Sequence, residues 1–148
     1  MGTSSSSETL VNAVKDYLNA EKATTVSGHS LGGALATLLT LDVAHNSKLP
    51  TPVVYTYASP HVGDYLFKDD YNDTVATSYR MYNSTDAVPD MPLWPYTSVK
   101  TGFKLTPDTS KVSTSIACSH HLTTYLWLMG QQAGVDAGAL DSDCVVSE

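Results

Sequence analysis

Apolar residues recur along the chain with two different periods, one typical of helices and one typical of strands. Between Leu10 and Leu18 they follow the helical spacing, behind a Ser-x-x-Glu capping box that ends at Glu8. This pattern predicts an amphipathic helix over residues 8–21. A short β-branched run follows and ends at Gly28, so we expect a strand immediately before that glycine.

The following segments continue this alternation. Residues 31–45 carry Leu and Ala on nearly every side, which is typical of a buried helix. Segments rich in Val and Tyr predict strands at 52–59 and 78–84, residues 97–107 predict a further strand or hairpin, and 120–132 predict the last helix. The pattern favours an α/β fold with a mostly parallel sheet and helices on both faces, in which active groups gather at the carboxyl ends of the strands.

Chain length and apolar content favour a single domain over residues 1–148. A chain of 148 residues that is 42% hydrophobic can bury one hydrophobic core but not two. We expect flexible termini at 1–7 and 135–148. No apolar run reaches the roughly 18 residues of a membrane span, so stable membrane insertion is not expected. No signal peptide is visible at the N terminus.

Charge and cysteine content narrow the function classes. Fifteen acidic and eight basic residues give a formal net charge of −7, which disfavours nucleic acid and anionic membranes as partners. Cys118 and Cys144 do not have the spacing of metal ligands. A disulfide between them would indicate an oxidising compartment, and two unpaired thiols are the alternative.

A Gly-x-Ser-x-Gly motif over residues 28–32 lies between the first predicted strand and the helix that follows. Glycines on both sides let the strand and the helix approach closely around a serine held in a tight turn. Such a turn lifts the Ser30 hydroxyl above the sheet, and the first helix N–H groups, chiefly that of Leu31, can hold an oxyanion there. We predict that Ser30 is a nucleophile; a glycine-rich turn with a structural serine is the alternative, which the extra Gly33 disfavours.

A nucleophilic serine needs a base, and the base needs an acid that orients it. In this architecture the chain order is Ser, then Asp or Glu, then His, which Ser30, Asp86 and His120 satisfy. His121 is the alternative base. The other histidines and loop carboxylates have alternative roles. For His29 we expect core packing or a backbone hydrogen bond, and for His45 and His61 a surface or structural position. Asp64 and Asp90 are loop carboxylates, for which simple solvation is the alternative. No metal or cofactor is expected, because no Cys or carboxylate cluster accompanies the adjacent histidines.

Four segments, in this order, resemble the class 3, or fungal-type, triacylglycerol lipases of the α/β-hydrolases. They are VSGHSLGGALATLLTLDVA, VVYTYASPHVGD, SYRMYNSTDAVPDMP and HHLTTYL. The resemblance runs from about residue 8 to residue 128. It implies a carboxylic ester hydrolase of the lipase or esterase type, with Ser30, Asp86 and His120 as its catalytic triad and an ester as its substrate. It also implies a secreted protein that takes part in lipid degradation.

Members of this family have an N-terminal part that matches nothing in this sequence. Additional strands, a lid and the loop with the second oxyanion donor would all precede residue 8, so we expect a fold abbreviated at its N terminus and weak activity. Short-chain or soluble esters are the expected substrates. Residues 94–96 have two alternatives, lining an acyl or aryl pocket or packing under a loop. An uncovered sheet edge favours a homo-oligomer. The alternative function is a weak or inactive lipase-fold module with a binding or oligomerisation role.

Overall fold

The structure is a computed structural model that describes residues 24–146. Its sheet is parallel throughout, with the spatial order β1 (Thr25–His29), β2 (Val53–Tyr57), β3 (Ser78–Asn83) and β4 (Gly102–Leu105). The predicted α/β class is therefore confirmed, and the segment predicted as a strand or hairpin forms the fourth strand. The predicted helix over 8–21 and the terminus at 1–7 lie outside the described residues.

The helices are α1 (Leu31–Asn46), α2 (Tyr65–Thr74), α3 (Ile116–His120) and α4 (Leu122–Ala133). The last helix was predicted to begin at His120 and run without interruption, and this prediction is wrong. His120 ends α3, while His121 has an extended backbone with ψ 136° and is the N-cap of α4. The apolar residues at helical spacing, Leu122 to Met129, all lie in α4, so the sequence pattern does not show that His120 belongs to a separate helix.

Two apolar clusters cover the two faces of the sheet, because alternate residues of a strand point to opposite sides. One cluster lies beside α1 and α2, and it is formed by Leu41, Val54, Tyr71, Val75 and Val99. The other lies under α4, and it is formed by Ala58, Met81, Leu105, Tyr125 and Leu128. Helices thus lie on both faces, as predicted.

Helix α1 is not buried on all sides, contrary to the prediction from its composition. Small side chains face the sheet, and those that are buried include Gly33, Ala34, Ala36, Thr37 and Thr40. The leucines of the opposite side remain between 45% and 68% exposed within the described chain: Leu31, Leu35, Leu38 and Leu39. Small residues on the inner side allow the helix to approach the sheet closely. The large leucine side chains therefore lie on the outer side.

The chain after α4 returns to the segment that precedes α3. Cys144 forms a disulfide with Cys118, and its carbonyl accepts a hydrogen bond of 2.9 Å from the Ser113 N–H. The Val146 N–H donates to the Lys111 carbonyl at 3.0 Å. Of the two alternatives for the cysteines, the structure contains the disulfide. It attaches the C-terminal segment to α3, the helix that ends at His120.

Strand β1 is an edge of the described sheet, since within residues 24–146 it pairs with β2 alone. Its pairing with a second copy of the chain stays a prediction.

We predict that the start of α2 depends on the Asp64 side chain. Asp64 is the N-cap, and its carboxylate accepts a hydrogen bond of 3.1 Å from the Phe67 N–H. Asp64→Ala should lower the free energy of unfolding by about 1 kcal/mol, measured by urea denaturation, because a helix donor loses its partner. Asp64→Asn keeps an acceptor oxygen and should retain most of the stability. Equal unfolding midpoints for all three proteins would contradict this role.

Candidate active site

Ser30 is the single residue between β1 and α1, and its backbone has φ 56° and ψ −128°. The two elements approach so closely that a Cβ on Gly28 would collide with the Gly32 carbonyl. A Cβ on Gly33 would lie 2.8 Å from the Cβ of Ser59. Glycine at 28 and 33 therefore allows the strand and the helix to approach closely around Ser30, whose φ is positive.

The Ser30 hydroxyl begins a hydrogen-bonded row of three side chains. Ser30 Oγ lies 2.7 Å from His120 Nε2, and His120 Nδ1 lies 2.8 Å from Asp86 Oδ2. Asp86 is 5% exposed, and His120 is partly buried. Asp86 follows β3, so the carboxyl ends of two parallel strands place the serine and the carboxylate at the same edge of the sheet. The row can transfer a proton from the hydroxyl to the imidazole while the carboxylate stabilises the resulting charge.

Tyr125 is a further member of the site that sequence reasoning did not identify. Its hydroxyl donates to Asp86 Oδ2 at 2.7 Å and accepts from the Asn83 N–H at 3.0 Å. Burial raises the pKa of Tyr125 above its ordinary value, which keeps the phenol protonated and able to donate. Asp86 Oδ1 accepts from the Val88 N–H at 3.0 Å, so both carboxylate oxygens are held. The available signal was a tyrosine on the buried side of a helix, where its hydroxyl needs a partner.

Asn83 connects the end of β3 to α3, the helix of the predicted base. Its Nδ2 donates to the Ser119 carbonyl at 2.9 Å, and its Oδ1 accepts from the Thr85 N–H at 3.2 Å. Ser119 donates its hydroxyl to Thr85 Oγ1 at 3.0 Å. These contacts fix the loop of Asp86 relative to His120.

The Leu31 N–H, which we predict to hold an oxyanion, lies at the start of α1. The N–H groups of Gly33 and Ala34 bond to the Ser30 carbonyl at 2.9 and 3.3 Å, and the Ser30 N–H donates to the Tyr57 carbonyl at 2.9 Å. The Leu31 N–H is in the first turn, where helix N–H groups have no carbonyl partner inside the helix. It lies next to the Ser30 hydroxyl in the chain and is the donor that this turn offers to an anion.

The histidines and carboxylates considered as alternatives to His120 and Asp86 lie outside the row of three side chains. His121, the alternative base, has its Nδ1 2.7 Å from Thr123 Oγ1 and is not brought to Ser30. His45 pairs with Asp70 at 3.0 Å at the surface, and His61 Nδ1 lies 2.8 Å from the Pro92 carbonyl. Asp64 caps α2, and Asp90 is an exposed residue of a 3₁₀ turn over Val88–Asp90. His29 makes a backbone hydrogen bond, one of its two expected roles, and its partner is the carbonyl of His120.

An apolar cleft of about 410 Å³ opens beside His120. Val88, Ile116, Ala117 and Leu122 supply its apolar wall. Residues 94–96, for which pocket lining was one of two alternatives, do not belong to this wall, and Trp94 is 91% exposed. Within residues 24–146, no three His, Cys, Asp or Glu side chains are grouped as a metal site, and no helix has the length and apolar character of a membrane span.

Comparison with known proteins identifies proteins that are similar in sequence to this chain. Phospholipase A1-II 3 of Oryza sativa subsp. indica is 37% identical over 89 residues, which cover 54% of this chain and 21% of that protein. Phospholipase A1-Ialpha2, chloroplastic, of Arabidopsis thaliana is 30% identical over 152 residues, covering 86% of this chain and 31% of that protein. The chain thus spans about a fifth to a third of these two curated relatives.

A solved structure and a family model also indicate similarity to lipases. The triacylglyceride lipase of Rhizomucor miehei aligns with a TM-score of 0.61 and 28% identity over 70% of this chain and 42% of the lipase. The family model for class 3 lipases matches residues 3–96, which is more than half of the chain. The chain therefore belongs to the class 3 lipase family.

Proposed function

We propose that the chain hydrolyses carboxylic esters of lipids through an acyl-serine intermediate. The observation that carries this proposal is the row of Ser30, His120 and Asp86, with its contacts of 2.7 and 2.8 Å. Membership of the class 3 lipase family supports lipid esters as the substrate class. Relatives named as phospholipase A1 and as triacylglyceride lipase support the same class.

The reaction follows from the direction of each hydrogen bond. His120 Nε2 takes the hydroxyl proton while Ser30 Oγ attacks the ester carbonyl carbon, and Asp86 stabilises the imidazolium. The Leu31 N–H holds the tetrahedral oxyanion. Collapse breaks the ester C–O bond, and the alcohol leaves with the proton from His120. Water then attacks the acyl-serine with His120 as the base, which releases the acid and restores Ser30.

The apolar cleft beside His120 supports a small substrate. Its volume of about 410 Å³ is at the lower end of ligand pockets, which span about 300–1,000 Å³. We propose short-chain or soluble esters, with the acyl group or the leaving alcohol against Val88 and Ile116. The disulfide between Cys118 and Cys144 supports a secreted protein or another oxidising compartment.

A weak or inactive lipase-fold module is the second candidate. The observation that favours it is the single oxyanion donor that we identify within the described residues, the Leu31 N–H. Loss of one donor costs about 10²–10³ in turnover in enzymes that use two. The experiments below separate an activated serine from an inert one.

We predict that a fluorophosphonate probe labels Ser30 in the folded 148-residue chain, as mapped by peptide mass spectrometry. Ser30→Ala should abolish labelling and reduce hydrolysis of p-nitrophenyl butyrate to background, a loss of up to about 10⁶ with complete machinery. Ser27→Ala, which alters a serine of β1 outside the row, is the matched control and should keep both. A folded chain that the probe does not label would favour the inactive module.

Tyr125→Phe should impair turnover and stability together. It removes the donor to Asp86 Oδ2 and leaves the buried Asn83 N–H without its acceptor. We expect kcat to fall about tenfold from poorer orientation. The free energy of unfolding should fall by about 1–3 kcal/mol, measured by urea denaturation. Tyr79→Phe removes a hydroxyl from a half-exposed tyrosine of β3 and should change neither quantity. An active, fully stable Tyr125→Phe would show that the contact with Asp86 contributes to neither turnover nor stability.

Acyl-chain preference tests the proposed substrate size. Rates on p-nitrophenyl esters from acetate to palmitate should be highest for short chains, because the cleft is small. We also expect no rise in rate when a short-chain ester passes its solubility limit. A preference for palmitate, or a jump in rate at the emulsion boundary, would refute the short-chain proposal and leave ester hydrolysis itself intact.

A further inference from the structure

His29, the residue immediately before the nucleophile, contacts the backbone of the catalytic base. Its Nε2 lies 2.8 Å from the carbonyl oxygen of His120, although 91 residues separate the two in the chain. The ring centroids of His29 and His120 are 4.9 Å apart, and the His29 ring meets the Tyr125 ring edge-on at 6.0 Å. The proton-transfer row does not use His29.

The His120 carbonyl needs this donor because the helix breaks at that residue. In an uninterrupted helix it would accept from the N–H four residues later, that of Thr124. The N–H groups of Thr124 and Tyr125 instead bond to the His121 carbonyl at 3.1 and 3.3 Å. Among the described residues, the hydrogen-bond donor to the His120 carbonyl is the His29 imidazole.

The partner determines the tautomer of His29. A carbonyl oxygen only accepts, so Nε2 must carry the hydrogen and Nδ1 has the free lone pair. Burial lowers the pKa of His29 below its ordinary value, against the opposing effect of the hydrogen bond to His120. The ring is therefore neutral at pH 7.

A neutral ring also suits the reaction. The ionisable groups that act on His29 are His120, His121 and Asp86. His120 becomes positive when it takes the serine proton, and a second positive ring 4.9 Å away would oppose that step. A neutral donor holds the base without this repulsion.

We propose that His29 is a positioning residue for the ester hydrolase reaction, because its Nε2–H holds the carbonyl of His120 and thereby places the His120 imidazole between Ser30 and Asp86. The inference rests on the proposed function. The turn that presents the nucleophile thus also holds the backbone of the base, through His29, which ends β1 immediately before Ser30. This hydrogen bond links the nucleophile turn directly to the backbone of the base, in addition to the contacts that restrain α3 from elsewhere in the fold.

Two substitutions in the full chain separate donation from packing. His29→Leu fills the site without a donor, and His29→Gln places an amide N–H near the position of Nε2. For p-nitrophenyl butyrate, we expect kcat of the Leu variant to fall about 10- to 100-fold with KM within twofold, because a shift of about 1 Å in a catalytic group has effects of this size. The Gln variant should recover kcat to within about threefold of the wild type. His45→Leu alters a surface histidine and is the matched control.

A measurement independent of turnover follows the base itself. His120 Nδ1–H donates to Asp86, and a proton in such a bond gives a separate downfield NMR signal. The signal should persist in wild type and His29→Gln and be broadened or lost in His29→Leu. Melting temperatures show whether each variant is folded at the temperature of the assay.

Each outcome decides the inference. A Leu variant with wild-type kcat and an intact Nδ1 signal would overturn it, and so would a Gln variant as impaired as the Leu variant. If the Leu variant does not fold, recovery of kcat and of the signal by Gln supports the inference, and a loss of both overturns it. A wild-type chain without Ser30-dependent hydrolysis would defeat the proposed function, whereas the NMR comparison would still test the role of His29.

Discussion

The buried carboxylate of Asp86 is the group on which the rest of the site depends. A charge taken out of water must be compensated by hydrogen bonds, and Asp86 is only 5% exposed. Its donors come from three places: the Val88 N–H in its own loop, His120 at the end of α3, and Tyr125 in α4. Satisfying this one side chain brings the loop after β3 against the two C-terminal helices. The same contacts direct His120 Nε2 at Ser30.

The parallel sheet positions two residues of the site, and the C-terminal helices position the third. The sheet places Ser30 after β1 and Asp86 after β3 at one edge, with β2 between them. The proposed base must therefore come from an element that crosses this edge, and His120 at the end of α3 occupies that position. Two further contacts restrain α3, the disulfide at Cys118 and the hydrogen bond from His29 to His120. The base is thus held by its side chain, by its backbone and by a covalent link two residues away.

Sequence patterns were informative where a local rule determines the structure. The strand, tight turn and helix around Ser30 follow from glycines whose Cβ atoms would collide with neighbouring atoms, and the alternation of elements gives the parallel sheet. Local patterns could not find the break between α3 and α4, because the contacts that hold His120 come from residues that are distant in the chain. This break gives His120 and His121 different roles. The exposure of Leu35 and Leu38 was missed for a related reason: composition shows that α1 is apolar but not which side meets the sheet.

A crystal structure of the chain after reaction with a phosphonate ester tests the central claim most directly. The account predicts phosphorus bonded to Ser30 Oγ, a phosphonyl oxygen facing the Leu31 N–H, and His120 Nε2 within hydrogen-bond distance of the adduct while Nδ1 remains on Asp86. An adduct at another residue, or an adduct on Ser30 with the His120 ring turned away from both partners, would contradict it.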